Sequence, residues 1–159
     1  MDDKLPVPAA RPAPAVRNER DTRRWDGVEQ LVYKAEGSAP FKDITRQLLF
    51  QEPALGCELR YFEMQPGGYS TLERHEHAHA VMILRGSGRV MVGERVFEVG
   101  GHDLVHIPAM TWHQFRALDD ASFGFLCMVN AERDRPQLPD GEALARMRAD
   151  PLLAAFIRT

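Results

Sequence analysis

Short strand-like segments, each closed by glycine, proline or aspartate, follow one another through most of this sequence. The segments are 28–33, 44–50, 57–64, 80–84, 89–92, 95–99, 104–107, 113–117 and 123–129. Their length, with turn residues at both ends, is typical of strands rather than helices. Because no long helical segments alternate with them, the pattern predicts an all-β sandwich or barrel.

The C-terminal part of the chain carries a helical pattern instead. Asp140 is placed to cap a helix over 141–149, and Asp150 is placed to cap another over 151–157. Pro151 then occupies the first helical position, where proline is favoured. We therefore predict two short helices packed on the outside of the β-structure.

The chain of 159 residues can bury one core and is too short for two ordinary domains. Residues 1–20 are rich in proline and alanine and predict a disordered, flexible arm. The β-domain is predicted over 21–139 and the helical tail over 140–159.

Charge and cysteine content argue against several classes of function. The net charge of -3 and pI near 6.1 predict neither a nucleic-acid nor a membrane partner. No apolar run approaches the ~20 residues that span a bilayer, and the N-terminus lacks the apolar region of a secretory signal. Cys57 and Cys127 lie within strand-like segments and predict buried, reduced thiols, as expected in a cytoplasmic protein.

Four side chains that bind metals recur at a two-residue spacing, namely Glu73, His75, His77 and His79. In an extended strand all four would face one side. Imidazole and carboxylate groups are common ligands of Zn, Mn, Fe, Ni and Cu. Taken alone, the cluster fits either a metal site or an exposed strand face.

The spacing around this cluster matches the motif G-x5-H-x-H-x3-E-x6-G. Gly67, Glu73, His75, His79 and Gly86 occupy its five positions. The first histidine position holds glutamate and the glutamate position holds histidine, so the ligand types are kept but exchanged.

A second motif, P-x-G-x2-H, follows in degraded form. Pro108, Met110 and His113 match it, with methionine in place of glycine, and Ala117 stands where asparagine is usual. With both motifs present in the right order, the chain resembles the cupin superfamily over residues 55–130.

The resemblance implies a cupin double-stranded β-helix, which is a jelly-roll barrel, with one divalent metal ion in its pocket. By motif position the implied ligands are Glu73, His75, His79 and His113. His77 is an alternative to Glu73, because a two-residue shift of the turn would pair it with His75. The motif spacing favours Glu73.

Cys127 is a candidate catalytic thiol. Alternation over 123–129 places it on one face with Phe125, and in small cupins the last strand lies beside the one that bears the second-motif histidine. An ordinary buried thiol is the alternative interpretation. The candidates for substrate binding are Arg60, Tyr61, Arg85 and Phe115.

The stretches 71–77, 111–117, 124–127 and 133–139 resemble one group of small bacterial cupins, the methylsulfurylases that act on 1-methylthioxylulose 5-phosphate. The resemblance implies thiol-dependent removal of the methylthio group to give 1-deoxyxylulose 5-phosphate, in salvage of methylthioadenosine carbon for isoprenoid synthesis. It also implies a phosphorylated sugar-like substrate, and glutathione or another thiol as co-substrate. The implied metal is manganese, with iron, nickel and zinc as alternatives, and a homodimer is the default assembly.

Two other functions fit the same residues. Three histidines and a carboxylate also suit O₂ activation by an iron- or manganese-dependent dioxygenase. A non-catalytic cupin that binds a small molecule beside a structural metal is the second alternative, because the fold alone does not determine function.

Overall fold

Antiparallel strands form most of the fold in the computed structural model, which describes residues 15–20 and 23–159. The strands are β1 (Leu31–Val32), β2 (Lys42–Glu52), β3 (Cys57–Tyr69), β4 (His79–Val92), β5 (Arg95–Gly100), β6 (Leu104–Ile107), β7 (His113–Ala117) and β8 (Phe123–Asn130). Two helices follow, α1 (Gly141–Arg148) and α2 (Pro151–Phe156). The prediction of an all-β domain followed by two short helices is confirmed.

The two longest strands, β3 and β4, close the sheet into a barrel. The hydrogen-bonded order is β1-β2-β3-β7-β4-β5, while β6 pairs with β4, and β8 pairs with both β3 and β4. Cys127 on β8 lies between Arg60 of β3 and Val81 of β4. Arg116 on β7 similarly lies between Tyr69 of β3 and Arg89 of β4. Because β7 and β8 each bridge the same two strands, the sheet wraps around a common interior.

Glycines allow β3 and β4 to change direction without ending, which corrects two predicted turns. The sequence predicts a stop at 66–68 and a break at 85–88, yet β3 and β4 run through them. Gly67 and Gly86 have φ values of 72° and 69°, a region that favours glycine. A Cβ atom on Gly86 would lie 2.1 Å from the carbonyl oxygen of Ser122. A glycine at this position therefore lets β8 approach β4 closely.

The fold has two apolar clusters, one inside the barrel and one on its outer surface. The interior cluster draws residues from β2 to β8 and includes Phe62, Ile83, Phe115, Phe123 and Phe125. The second cluster packs α1 and α2 against the barrel through Leu72, Met91, Met147, Leu153 and Phe156. Both predicted helix caps are confirmed, since aspartates at the two N-termini accept hydrogen bonds from backbone amides of the first turn.

The N-terminal part of the described chain contacts the barrel. Glu19 forms an ion pair with Arg85 on β4. The disordered arm predicted over 1–20 therefore includes a few residues with defined contacts. The rest of that prediction falls on residues 1–14, which, like 21–22, lie outside the described residues.

Within the described ranges, no helix combines the length and apolar character needed to cross a bilayer. Both cysteines are unbonded thiols, Cys127 fully buried and Cys57 partly exposed. The prediction of two buried thiols therefore holds for Cys127 alone.

Candidate metal site and substrate cavity

Backbone hydrogen bonds bring together the segments that carry the candidate ligands. Glu73 and His113 each donate an amide hydrogen to the other's carbonyl oxygen, with N–O distances of 3.2 and 3.0 Å. The Met110 amide donates to the carbonyl of His75 at 2.7 Å. His79 is the first residue of β4, and His113 is the first residue of β7. Both therefore lie next to the hydrogen-bonded segments 73–75 and 110–113.

Three histidines converge at this point. The ligand nitrogens of His75, His79 and His113 all lie within 4.8 Å of one another. His75 and His113 are 1% and 4% exposed, so the group is largely removed from water. A cluster of imidazole nitrogens of this size can surround a single ion.

The hydrogen bonds of these imidazoles fix which nitrogen is available to a metal. Nδ1 of His75 lies 2.7 Å from the carbonyl oxygen of His77, and Nδ1 of His113 lies 2.9 Å from that of Thr111. Because a carbonyl oxygen only accepts, both Nδ1 atoms carry the hydrogen and both Nε2 atoms present a lone pair. Nε2 of His75 and Nε2 of His79 are buried without a hydrogen-bond partner among the described residues. Unpaired buried nitrogens with oriented rings are what a bound divalent cation requires.

Burial also keeps these imidazoles uncharged. It lowers the pKa of His113 to about 4, and it lowers the pKa values of His75 and His79 as well. Neutral imidazole is the form that binds metals, so protons do not compete for these nitrogens at neutral pH.

Glu73 stands beside the histidines but has another partner. Its carboxylate forms an ion pair with Lys34, which follows β1. The compact group of ligand atoms is thus made by three histidines, and Glu73 as fourth ligand remains a prediction. Coordination by Glu73 would require its carboxylate to share or exchange the contact with Lys34.

His77 is neither exposed nor part of the compact group. The stretch 73–78 is a loop instead of a continuous strand, and the His77 ring stacks on His75 with centroids 3.7 Å apart. Its Nδ1 lies 2.6 Å from a carboxylate oxygen of Asp134, which also accepts hydrogen bonds from two loop amides. In this structure His77 therefore supports the His75 ring and holds the loop to the segment after β8.

A cavity of about 570 Å³ opens beside the three histidines, a size suited to a small molecule. One part of its wall is apolar and includes Ile44, Val81, Phe115 and Phe125. Another part carries positive charge, from Lys34, Arg46, Arg60 and Arg133. The combination suits an anionic organic ligand with an apolar portion.

Cys127 faces this cavity, as the alternation over β8 predicts. The expected neighbour is wrong, since β8 pairs with β3 and β4 and not with β7, the strand that His113 begins. It is 2% exposed, and its Sγ lies 3.1 Å from Nδ1 of His79 and 3.5 Å from the guanidinium of Arg60. Burial raises the pKa of the thiol, while the positive charge of Arg60 acts in the opposite direction. The sulfur thus lies one hydrogen bond from the histidine group.

A family profile described as a cupin domain matches residues 60–129. Over 134 residues the chain is 62% identical to a curated protein named 1-methylthio-D-xylulose 5-phosphate methylsulfurylase, from Rhodospirillum rubrum. The alignment covers 84% of this chain and 86% of that protein. This chain belongs to the cupin family.

Solved structures agree with the assignment to the cupins. A cupin 2 conserved barrel domain protein from Rhodopseudomonas palustris is 57% identical, with a TM-score of 0.86, and the match covers 91% of this cupin and 100% of that chain. A cupin-2 domain protein from Rhodospirillum rubrum is 62% identical, with a TM-score of 0.79, covering 84% and 89% of the two chains.

The structure explains one departure of this cupin from the family motif. Met110 occupies the usual glycine position and has a φ of 55°, in the region that glycine adopts most easily. Its amide donates to the carbonyl of His75, so the strained backbone is held by a loop that carries a candidate ligand. The side chain of Met110 is 40% exposed and therefore meets little steric restriction.

Two of the four predicted substrate-binding residues line the cavity of this cupin, and two do not. Arg60 and Phe115 contribute to its wall. Tyr61 and Arg85 lie elsewhere, in a cluster around the carboxylate of Glu63, which accepts the hydrogen bond of the Tyr61 hydroxyl. Successive residues of a strand point to opposite faces, so Arg60 and Tyr61 cannot both enter the barrel.

Sequence reasoning missed several polar residues of the site, among them Lys34, Arg46, Arg133 and Asp134. Lys34 and Asp134 lie in connections outside the motifs, where nothing in the sequence indicates proximity to the histidines. Arg46 lies on β2 on the same face as Ile44, and strand alternation from that apolar residue could have indicated it. The two other histidines, His102 and His106, are exposed and lie outside both motifs.

Proposed function

We propose that this cupin is a divalent-metal-dependent methylsulfurylase that removes the methylthio group from 1-methylthioxylulose 5-phosphate to give 1-deoxyxylulose 5-phosphate. The observation that carries the proposal is a buried thiol, Cys127, hydrogen-bonded to a three-histidine group in a cavity that also presents cationic side chains. The 62% identity to a protein named for this substrate supports the choice among cupin reactions.

We infer that His75, His79 and His113 hold a divalent metal, with Glu73 as a fourth ligand. Manganese is the metal proposed. A divalent cation held there supplies a positive charge that polarises the ketone oxygen of the substrate. Hydrogen bonds to backbone carbonyls keep the rings of His75 and His113 in place. The apolar wall around Phe115 suits the thioether end of the substrate and would exclude water from it.

The proposed reaction transfers the methylthio group to a thiol. A thiolate attacks the methylthio sulfur, the bond from that sulfur to C1 breaks, and its electron pair moves to C1 and the ketone as an enolate. C1 then takes one proton and becomes a methyl group, while the two sulfurs form a mixed disulfide. Carbon gains two electrons, and the two joined sulfurs lose them.

Cys127 or the co-substrate, glutathione or another thiol, supplies the attacking sulfur. If Cys127 attacks, it becomes a methyl disulfide, which the co-substrate thiol then reduces. Nδ1 of His79 lies within reach to stabilise its thiolate.

The test measures methanethiol in the headspace above manganese-loaded protein, substrate and glutathione, after a reductant has cleaved any mixed disulfide. The expected result is release that requires both protein and metal, and His113→Ala is expected to abolish it. His106→Ala is the matched control, because this histidine is exposed on β6. Metal-loaded protein that releases no more than the thiol-only blank would refute the proposal, and oxygen consumption would then test the dioxygenase alternative.

A further inference from the structure

Two arginines on the cavity wall have buried nitrogen atoms that no described residue satisfies. Arg46 on β2 and Arg60 on β3 are diagonal neighbours, since Arg46 pairs with Phe62 and Arg60 pairs with Leu48. Both line the cavity, and the Nε atom of each is buried without a hydrogen-bond partner in the described part of the chain. A buried donor left without an acceptor is costly, so the arrangement indicates a missing acceptor.

The local charge strengthens this indication. A third guanidinium, that of Arg133, also lines the cavity and pairs with the buried carboxylate of Glu58 at 2.6 Å. Neither Arg46 nor Arg60 forms an ion pair with a described carboxylate. Burial and the positive charges of Arg60 and Arg133 lower the pKa of Arg46. The full set of charges in and beside the cavity leaves two positive charges in excess, which matches a phosphate dianion: the cations are Lys34, Arg46, Arg60, Arg133 and Arg135, and the carboxylates are Glu58, Glu73 and Asp134.

The position of Arg46 and Arg60, the arginine patch, relative to the three histidines also fits a phosphate site. The guanidinium of Arg60 lies 3.5 Å from Sγ of Cys127, which in turn lies 3.1 Å from His79. The patch therefore begins two side chains away from the candidate metal site and shares its cavity. An open-chain sugar phosphate of a few carbons can place its ketone at the candidate metal site and its phosphate at the arginines.

We propose that Arg46 and Arg60 form the phosphate subsite of this enzyme and that Arg46 is its principal specificity residue. The identity of the anion, a phosphomonoester on a short sugar chain, rests on the proposed function. Lys34 also lines the cavity, but its ammonium already pairs with Glu73. The planar guanidinium forks of Arg46 and Arg60 suit bidentate contacts to phosphate oxygens.

The test is a calorimetric titration of the manganese-loaded full chain with D-xylulose 5-phosphate, which lacks the methylthio group, and with D-xylulose. In Arg46→Gln the dissociation constant for the phosphorylated sugar is expected to rise about 10- to 100-fold, the usual effect of losing a charge-assisted hydrogen bond. The constant for D-xylulose is expected to stay unchanged. Arg89→Gln is the matched control, because Arg89 is exposed on β4 and does not line the cavity.

A structural role for Arg46 would give a different result. Arg46 lies among other cations, and its buried Nε has no hydrogen-bond partner among the described residues. Its removal is therefore expected to leave the melting temperature of the protein unchanged or to raise it, whereas loss of a structural arginine would lower the melting temperature. Arg46→Lys keeps the charge without the fork, so it should fold in any case and lose only part of the affinity.

Two outcomes overturn the subsite. One is equal affinity of wild type and Arg46→Gln for D-xylulose 5-phosphate, and the other is a wild type that does not prefer the phosphorylated sugar. The proposed reaction fails separately. Phosphate-dependent binding through Arg46 without methanethiol release would retain the subsite and refute the methylsulfurylase. An unchanged kcat/KM for methanethiol release by Arg46→Gln would retain the methylsulfurylase and refute the subsite.

Discussion

Gly86 offers the sharpest test of how the barrel closes, and the cost of replacing it follows from the structure. Gly86→Ala places a Cβ atom 2.1 Å from the carbonyl oxygen of Ser122, at a residue with a φ of 69°. The left-handed backbone costs about 1–2 kcal/mol for a residue with a Cβ atom. Separating β4 from β8 to relieve the contact costs about 1–3 kcal/mol more. We therefore expect the free energy of unfolding to fall by about 2–5 kcal/mol.

The assay is urea denaturation of the metal-free protein followed by tryptophan fluorescence, with Gly100→Ala as the matched control. Gly100 ends β5, and a Cβ atom there would meet nothing within 4 Å. The control should therefore change stability by less than about 1 kcal/mol. If the two variants unfold at the same urea concentration, the close approach of β8 to β4 at Gly86 is not a constraint on this fold.

Other predictions concern the site itself. His113→Ala should lower metal affinity at least about 100-fold by equilibrium dialysis, while His106→Ala retains it; equal loss in both would remove His113 from the site. Cys127→Ser should retain the metal but lose most thiol-dependent methanethiol release, with Cys57→Ser as the unaffected control; undiminished turnover would exclude the Cys127 sulfur. The metal-free protein should lose stability as pH falls from 6.5 towards 4, because unfolded His113 takes up a proton that the folded chain, with its pKa lowered to about 4, excludes. His113→Gln should remove about 3 kcal/mol of that loss; an unchanged pH profile would contradict the burial argument.

The barrel was predictable because its determinants are local. Turn residues bound the short apolar segments, and the spacing from Gly67 to Gly86 and the position of His113 identify the two cupin motifs. The sequence misplaces strand ends at Gly67 and Gly86, because glycine is favoured both at a bend within a strand and at a turn that ends one. Only the tertiary approach of Ser122 to Gly86 shows that β4 continues through it.

The candidate site was predictable only where it lies in the motifs. His75, His79 and His113 come together as their spacing implies, and alternation along β8 correctly directs Cys127 into the cavity. Lys34 and Asp134 approach the histidines from distant connections, so no local pattern reports them. Alternation along β3 forces a choice between Arg60 and its neighbour, and the sequence does not say which of the two faces inward.

The fate of C1, the carbon that the proposed reaction reduces, distinguishes sulfur transfer from every alternative chemistry. Substrate labelled with ¹³C at C1 would be incubated in D₂O with manganese-loaded protein and glutathione, and the product examined by NMR. We predict that the thioether methylene becomes a methyl group carrying one deuterium, only when metal is bound. An unchanged methylene, or an oxygenated C1, in protein shown to hold its metal would contradict it.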